Sequence, residues 1–114
     1  MSALSLWVPG LRDMEYRQRL LADPATMAYN RGLDLGGAEG YDPDTGCIAF
    51  PREDWRYWRG VWLRNEPEFF SALLRDEARG CFVGEVTYHW DGDLRAHVAG
   101  VIIEAKHRGR GFGA

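Results

Sequence analysis

The sequence predicts an α+β fold in which helices pack on a mixed, mainly antiparallel sheet. Apolar residues follow a helical spacing over much of residues 11–64 and an alternating spacing from Phe69 onward, which indicates helices first and strands afterwards. The alternating segments are joined by connections too short for a parallel crossover, so they predict an antiparallel meander. With 114 residues, of which 46% are hydrophobic, the chain is expected to form a single domain over residues 1–114 with a packed core.

One strand and two helices are predicted in the N-terminal third. Residues 4–8 alternate in polarity and end at a Pro-Gly pair, which predicts a first strand closed by a turn. Residues 11–22 are rich in good helix formers, so they predict the first helix. Asp23 followed by Pro24 is a favourable helix start, because aspartate caps a helix and proline fits its first turn. We expect a second short helix from Pro24 to about Arg31.

A long loop and an amphipathic helix are predicted in the middle of the chain. Residues 32–46 contain several glycines and an Asp-Pro-Asp turn, and loops of this length in compact domains are often binding loops, so we expect a substrate loop here. Trp55, Trp58 and Trp62 follow at positions i, i+3 and i+7, which predicts one face of a helix over residues 51–64. An aromatic stripe with this spacing is typical of core packing.

A second interpretation of the aromatic residues remains open. Tyr29, Tyr41 and Tyr57, together with the tryptophans, would suit a cage for a cationic amine, because ring faces attract cations. Acidic side chains of the neighbouring loop would add negative potential to such a cage. They are Asp34, Glu39, Asp42 and Asp44.

Composition and charge exclude several classes of partner. A net charge of −3 argues against broad binding to nucleic acid or to anionic membranes, and no run approaches the roughly 20 apolar residues of a membrane span. Cys47 and Cys81 are too few and too far apart for a zinc pattern or a disulfide scaffold. We therefore expect a cytoplasmic protein with free thiols, no metal, and no nucleic-acid or membrane partner.

The end of the last predicted strand carries the most informative pattern. Strands are expected over residues 69–75, 81–90 and 96–105, and a glycine-rich segment follows the last of them. There Gly109, Gly111 and Gly113 alternate with larger residues, and two arginines lie beside them. Alternating glycines allow a tight turn whose main-chain N–H groups point the same way, while arginines add positive charge. The segment therefore predicts a phosphate site.

This segment resembles the glycine loop of the GNAT family of N-acetyltransferases, in which arginine or glutamine precedes two residues, a glycine, one residue and a second glycine. The order of elements is also similar to the first half of the GNAT acyl-CoA N-acyltransferase fold. The resemblance implies that the loop holds the pyrophosphate of acetyl-CoA mainly through its main-chain N–H groups, with the arginine side chains secondary. The implied loop residues are Arg108, Gly109, Arg110, Gly111, Phe112, Gly113 and Ala114.

The resemblance also implies roles for the preceding strand. Main-chain groups of Val101, Ile102 and Ile103 would bind the pantetheine arm, and an N–H group nearest to Ile103 would polarise the thioester carbonyl. Some family members carry a glutamate base six residues before the position of Ile103, and here that position holds His97, whose imidazole is chemically suited to accept a proton. Glu85 on the neighbouring strand and Glu104 are the other candidates.

The implied function is transfer of an acetyl group from acetyl-CoA to a primary amine whose identity the sequence does not give. The family often uses a tyrosine beyond the glycine loop as the acid, and that role has no candidate before Ala114. An alternative is therefore a truncated, catalytically inactive remnant that at most binds coenzyme A. The apolar strand over residues 96–105 would then be a sheet edge, through which we expect a homo-oligomer.

Overall fold

A computed structural model of the protein describes residues 4–35, 37, 39–64 and 69–109, apart from the side chains of residues 62–64. Among these residues the α-helices and strands follow the predicted order, in which one strand is followed by three helices and then by three strands. The elements are β1 (Leu4–Trp7), α1 (Met14–Leu21), α2 (Pro24–Met27), α3 (Trp55–Arg64), β2 (Phe69–Asp76), β3 (Cys81–Asp91) and β4 (Ala96–Ile103).

The four strands form one sheet in the order β1-β2-β3-β4, and every neighbouring pair is antiparallel. This confirms the predicted α+β class and the meander. The register between β2 and β3 shifts between Leu74 and Arg75, so that Leu74 faces Gly84 while Arg75 faces Phe82. Val83 is the extra residue of this bulge, and its carbonyl accepts the N–H of Glu104 just beyond β4 at 2.8 Å. The bulge therefore holds the first residue after β4 against β3.

The core lies between one face of the sheet and the helices. Its buried side chains come from α1, α2, the start of α3 and β2, and Ile102 of β4 packs against both of its parts. This arrangement places the end of β4 beside α1 and α2, where a site can be built from all three. The buried members are Met14, Leu21, Met27, Phe50 and Trp55 in one part and Tyr16, Leu20 and Leu73 in the other.

The observed elements differ from the predicted ones mainly at their ends. Residues 11–13, 28–30 and 52–54 are single 3₁₀ turns that lead into or out of the predicted helices. Strand β4 stops at Ile103 rather than Ala105, because residues 105–107 form another 3₁₀ turn. One prediction was wrong at Trp58, which is 42% exposed instead of lying in the core, whereas Trp55 is buried as expected.

The described residues of the predicted loop over 32–46 form turns, as their glycines indicate, and the N–H of Gly32 donates to the carbonyl of Pro43 at 3.0 Å. Tyr41 and Ile48 form an isolated antiparallel bridge, and the Tyr41 hydroxyl donates to the carbonyl of Asn30. The predicted tyrosine cage is not assembled, because Tyr57 packs on the ring of Trp58 and Tyr29 lies beside β4. Both cysteines are free thiols, as predicted. Among the described residues no helix has the length and apolar character needed to span a bilayer.

Candidate functional site

A cavity of about 600 Å³ opens at the end of β4, on the sheet face that carries α1. We call it the strand-end cavity. It brings together main-chain and side-chain groups from β3, β4, the turn after β4 and the segment after α2. Its lining residues are Tyr29, Glu85, Thr87, Gly100, Val101, Ile102, Ile103, His107, Arg108 and Gly109.

The first residues of the predicted glycine loop lie at the wall of this cavity. The chain leaves β4 at Ile103, passes through the 3₁₀ turn and reaches Gly109, whose φ of 81° lies in the left-handed region that favours glycine. The tight turn inferred from the alternating glycines therefore begins here. The rest of the predicted loop, residues 110–114, lies outside the described residues.

The side chain of Arg108 is bonded to main-chain carbonyls of its own protein. Its Nε donates to the carbonyl of Ile103 at 3.0 Å, and its terminal nitrogens donate to the carbonyls of Thr26 at 3.0 Å and Ala25 at 3.4 Å. The hydroxyl of Thr26, which is fully buried, accepts the N–H of Ala105 at 3.0 Å. These hydrogen bonds connect the start of the loop to α2, so the side chain of Arg108 has a structural role in positioning the loop.

Glu85 is the most deeply buried charged group that lines the cavity. Its carboxylate is 3% exposed and accepts a hydrogen bond from Nε of Arg17 on α1 at 2.8 Å. Loss of hydration raises the pKa of Glu85 above its ordinary value, and the nearby charge and hydrogen bond of Arg17 oppose this effect only in part. A carboxylate in such surroundings binds a proton more tightly than one in water.

His97 and Glu85, the two candidate proton acceptors, lie on opposite faces of the sheet. Glu85 faces Ile102 across the β3–β4 ladder, and His97 precedes Ile102 by five positions, an odd number that reverses the face of a strand residue. The exposed imidazole of His97 lies edge-on to the rings of Tyr88 at 5.4 Å and Trp90 at 5.3 Å. The His97 imidazole and the Glu85 carboxylate therefore cannot act on the same side of the sheet.

Glu104, the third candidate, is part of a small polar cluster under the turn. It accepts the hydroxyl of Tyr16 at 2.9 Å and lies 3.6 Å from the ammonium of Lys106 and 3.9 Å from Nε2 of His107. Burial, reinforced by the hydrogen bond to Glu104, raises the pKa of Tyr16. His107 is part of the cavity wall. Its Nδ1 atom is buried and makes no hydrogen bond among the described residues.

Sequence reasoning missed three of these groups: Arg17, Thr26 and His107. Arg17 and Thr26 lie 68 and 79 positions away from the partners they bind, and no local pattern marks such contacts. His107 carried a usable signal, since it directly precedes the glycine motif. No group of three or more potential metal ligands occurs in the described part of the chain.

Solved structures that resemble this chain share its fold at low sequence identity. A chimera of spermidine N-acetyltransferase SpeG from Vibrio cholerae with hSSAT superposes with a TM-score of 0.61 at 15% identity, covering 97% of this chain and 55% of that one. A probable acetyltransferase gives a TM-score of 0.63 at 15% identity and covers 95% and 55%. A point mutant of Vibrio cholerae SpeG gives 0.54 at 17% identity and covers 96% and 55%. The chain thus spans about half the length of these structures.

The sequence comparison identifies the same family. Residues 38–114 match the family model of GNAT acetyltransferases, a match that covers more than half of the chain and includes the glycine motif. No curated protein matches the sequence at a significant level. Because the glycine motif follows the final strand of an antiparallel sheet with this topology, and the family match spans both, the chain belongs to the GNAT acetyltransferase family.

Proposed function

We propose that the protein transfers an acetyl group from acetyl-CoA to a primary amine, with acetyl-CoA bound in the strand-end cavity. The observation that carries the proposal is that one cavity joins the end of β4 to the first turn of the glycine loop. A diphosphate at the loop would meet main-chain N–H groups, which favour anions. The pantetheine arm would then follow residues 101–103.

The reaction needs a group that takes a proton from the attacking ammonium, since only the free amine is a nucleophile. We propose Glu85 for this role, because it lines the cavity and its surroundings raise its affinity for a proton. His97 is the second candidate for the proton acceptor. Its position on the sheet face opposite to Glu85 makes it less favourable than Glu85 for this role.

The proposed transfer conserves protons and electrons. The ammonium group of the acceptor gives one proton to the base, the nitrogen of the resulting free amine attacks the thioester carbonyl, and the new C–N bond forms as the carbonyl oxygen gains negative charge. The N–H group nearest to Ile103 would stabilise that oxyanion. The C–S bond then breaks as the carbonyl re-forms, and the proton that the former amine nitrogen still has in excess passes to the thiolate, which gives coenzyme A and the amide.

The direct test is a titration with acetyl-CoA followed by tryptophan fluorescence and by the melting temperature. We expect saturable binding that is lost in Gly111→Glu, because a bulky anion would occupy the proposed diphosphate position. The matched control is Gly92→Glu in the β3–β4 turn, where a side chain would meet no atom within 4 Å. No response of the parent protein at millimolar acetyl-CoA would refute the cofactor site.

A second candidate is a protein that binds coenzyme A without turning it over. The observation in its favour is that the likeness to the related structures extends over 55% of their length, so it supports their shared fold more directly than the activity of the whole proteins. Release of free thiol from acetyl-CoA in the presence of a panel of amines separates the two candidates. Binding without thiol release would favour this one.

A further inference from the structure

A second cavity, of about 480 Å³, has α1 as one of its walls and lies on the sheet face that carries α1. We call it the loop cavity, because the folded segment before α3 forms one of its walls. The other walls come from α1, the start of α3 and the start of β2. It is lined by Arg17, Leu21, Glu39, Gly40, Ile48, Ala49, Phe50, Pro51, Asp54, Trp58 and Phe69.

The charges of this cavity are unbalanced toward the negative. Glu39 from the loop and Asp54 from the turn before α3 both line it and are exposed to solvent. Arg17 is the one positively charged residue among the described residues that line the cavity. Its Nε atom lies 2.8 Å from the buried carboxylate of Glu85, and this ion pair neutralises its charge. Two carboxylates from separate segments are therefore available to a positively charged ligand.

The walls between these charges are apolar and aromatic. The rings of Phe50, Trp58 and Phe69 line the cavity, and the guanidinium of Arg17 already lies 4.7 Å from the centre of the Phe50 ring. Ring faces attract alkylammonium groups, and a short methylene chain gains by burial against such walls. Anionic acceptors would be repelled by Glu39 and Asp54.

The two cavities meet at the ion pair between α1 and β3. Arg17 lines the loop cavity and Glu85 lines the strand-end cavity, so one 2.8 Å contact joins them. A ligand in the loop cavity would thus approach the carboxylate that we propose as the proton acceptor. This link connects the charged cavity to the proposed reaction and separates it from an ordinary acidic surface patch.

From this arrangement we infer that the loop cavity binds the acceptor, and that the acceptor is an aliphatic amine with a second positive charge. The inference rests on the proposed function and adds the substrate class to it. One ammonium group loses its proton and reacts, while the other stays charged between Glu39 and Asp54.

Three acceptors of similar length test the substrate class. Diaminobutane has a second positive charge, butylamine has no second charge, and γ-aminobutyrate has a negative charge at its other end. We expect kcat/KM to fall in that order. Asp54→Asn and Glu39→Gln should each raise KM for diaminobutane about 3- to 5-fold, the range of a partly exposed ion pair, and leave butylamine unchanged. Equal use of the three acceptors would overturn the inference.

A matched variant and an unreactive probe complete the experiment. Glu53→Gln removes a carboxylate next to Asp54 that lies outside the loop cavity, so it should leave all three acceptors unchanged. Tetramethyl-diaminobutane cannot be acetylated, yet by calorimetry it should bind the parent protein and lose about 10-fold in affinity in the double variant of Glu39 and Asp54. Failure of this probe to bind overturns the inference, whereas absence of turnover with intact probe binding refutes only the proposed function.

Discussion

Among single residues, Glu85 combines deep burial with a place in the wall of the strand-end cavity. Its carboxylate is removed from water by the sheet and α1, and Arg17 is its hydrogen-bond partner. A buried ion pair of this kind is weak evidence for stability, since the loss of hydration offsets much of the attraction between the charges. The position of this ion pair between two cavities is better explained by function.

The raised pKa of Glu85 predicts a pH-dependent stability difference. A carboxyl group whose pKa is higher in the folded state contributes fully below its unfolded pKa, about 4.3, and that contribution is lost as the pH rises through the folded value. The parent should therefore lose stability relative to Glu85→Gln as the pH rises from about 4.3 through the raised pKa of Glu85 in the folded state. Urea unfolding at several pH values measures this difference.

The control for this experiment is Glu15→Gln, which removes an exposed carboxyl from the same helix as Arg17. We expect its stability difference from the parent to stay nearly constant with pH. A stability difference that does not change with pH, or a parent that gains stability relative to Glu85→Gln as the pH rises, would mean that Arg17 outweighs the loss of hydration.

At the scale of elements, the close approach of β3 and β4 depends on one glycine. A Cβ atom at Gly84 would lie 2.0 Å from the carbonyl oxygen of Ile102, closer than any real contact allows. Gly84 also directly follows Val83, the extra residue of the bulge in β3. Strands β3 and β4 can therefore keep this spacing only if residue 84 has no side chain. The same spacing positions the start of the glycine loop, which follows β4.

Replacement of Gly84 by alanine should destabilise the β3–β4 pair. We expect the free energy of unfolding to fall by about 2–3 kcal/mol, because overpacking forces the strands apart. Gly100→Ala is the matched control, since its Cβ would meet only the Thr87 hydroxyl at 3.5 Å, an ordinary contact. Urea midpoints compare the two variants, and an equal loss in both would show that the spacing at Gly84 is not special.

Across the whole molecule, the sheet has two outer strands, β1 and β4. Among the described residues β4 pairs only with β3, so its other edge offers unpaired main-chain groups. Val101 on this strand is 52% exposed, which adds apolar surface at the same edge. Such an edge favours pairing with a second copy of the chain.

We therefore predict that the 114-residue protein associates as its concentration rises. Val101→Lys should weaken this association, since a charged side chain on an edge strand opposes pairing, whereas Leu6→Lys on β1 should not. Sedimentation velocity over a range of concentrations measures both effects. A parent protein that stays monomeric throughout would contradict the prediction.

Local patterns were sufficient to determine the elements and their order. The change from helical to alternating spacing near Phe69 predicted where strands begin, and short connections predicted an antiparallel sheet, because both depend on neighbours in the chain. The alternating glycines after β4 likewise marked a turn, and Gly109 has the left-handed conformation that such a turn needs.

Contacts between distant segments were decided by the tertiary structure alone. β1 pairs with β2, Arg17 binds Glu85, and Arg108 is bonded to α2. The placement of His97 and Glu85 on opposite faces also follows from the register of the folded sheet. A sequence pattern repeats over a few residues, whereas these contacts form only when packing brings distant segments together. Arg17 is 68 positions away from Glu85, and Arg108 is 83 positions away from Ala25. For that reason the sequence determined the family and the elements, and the folded chain determined which side chains share a cavity.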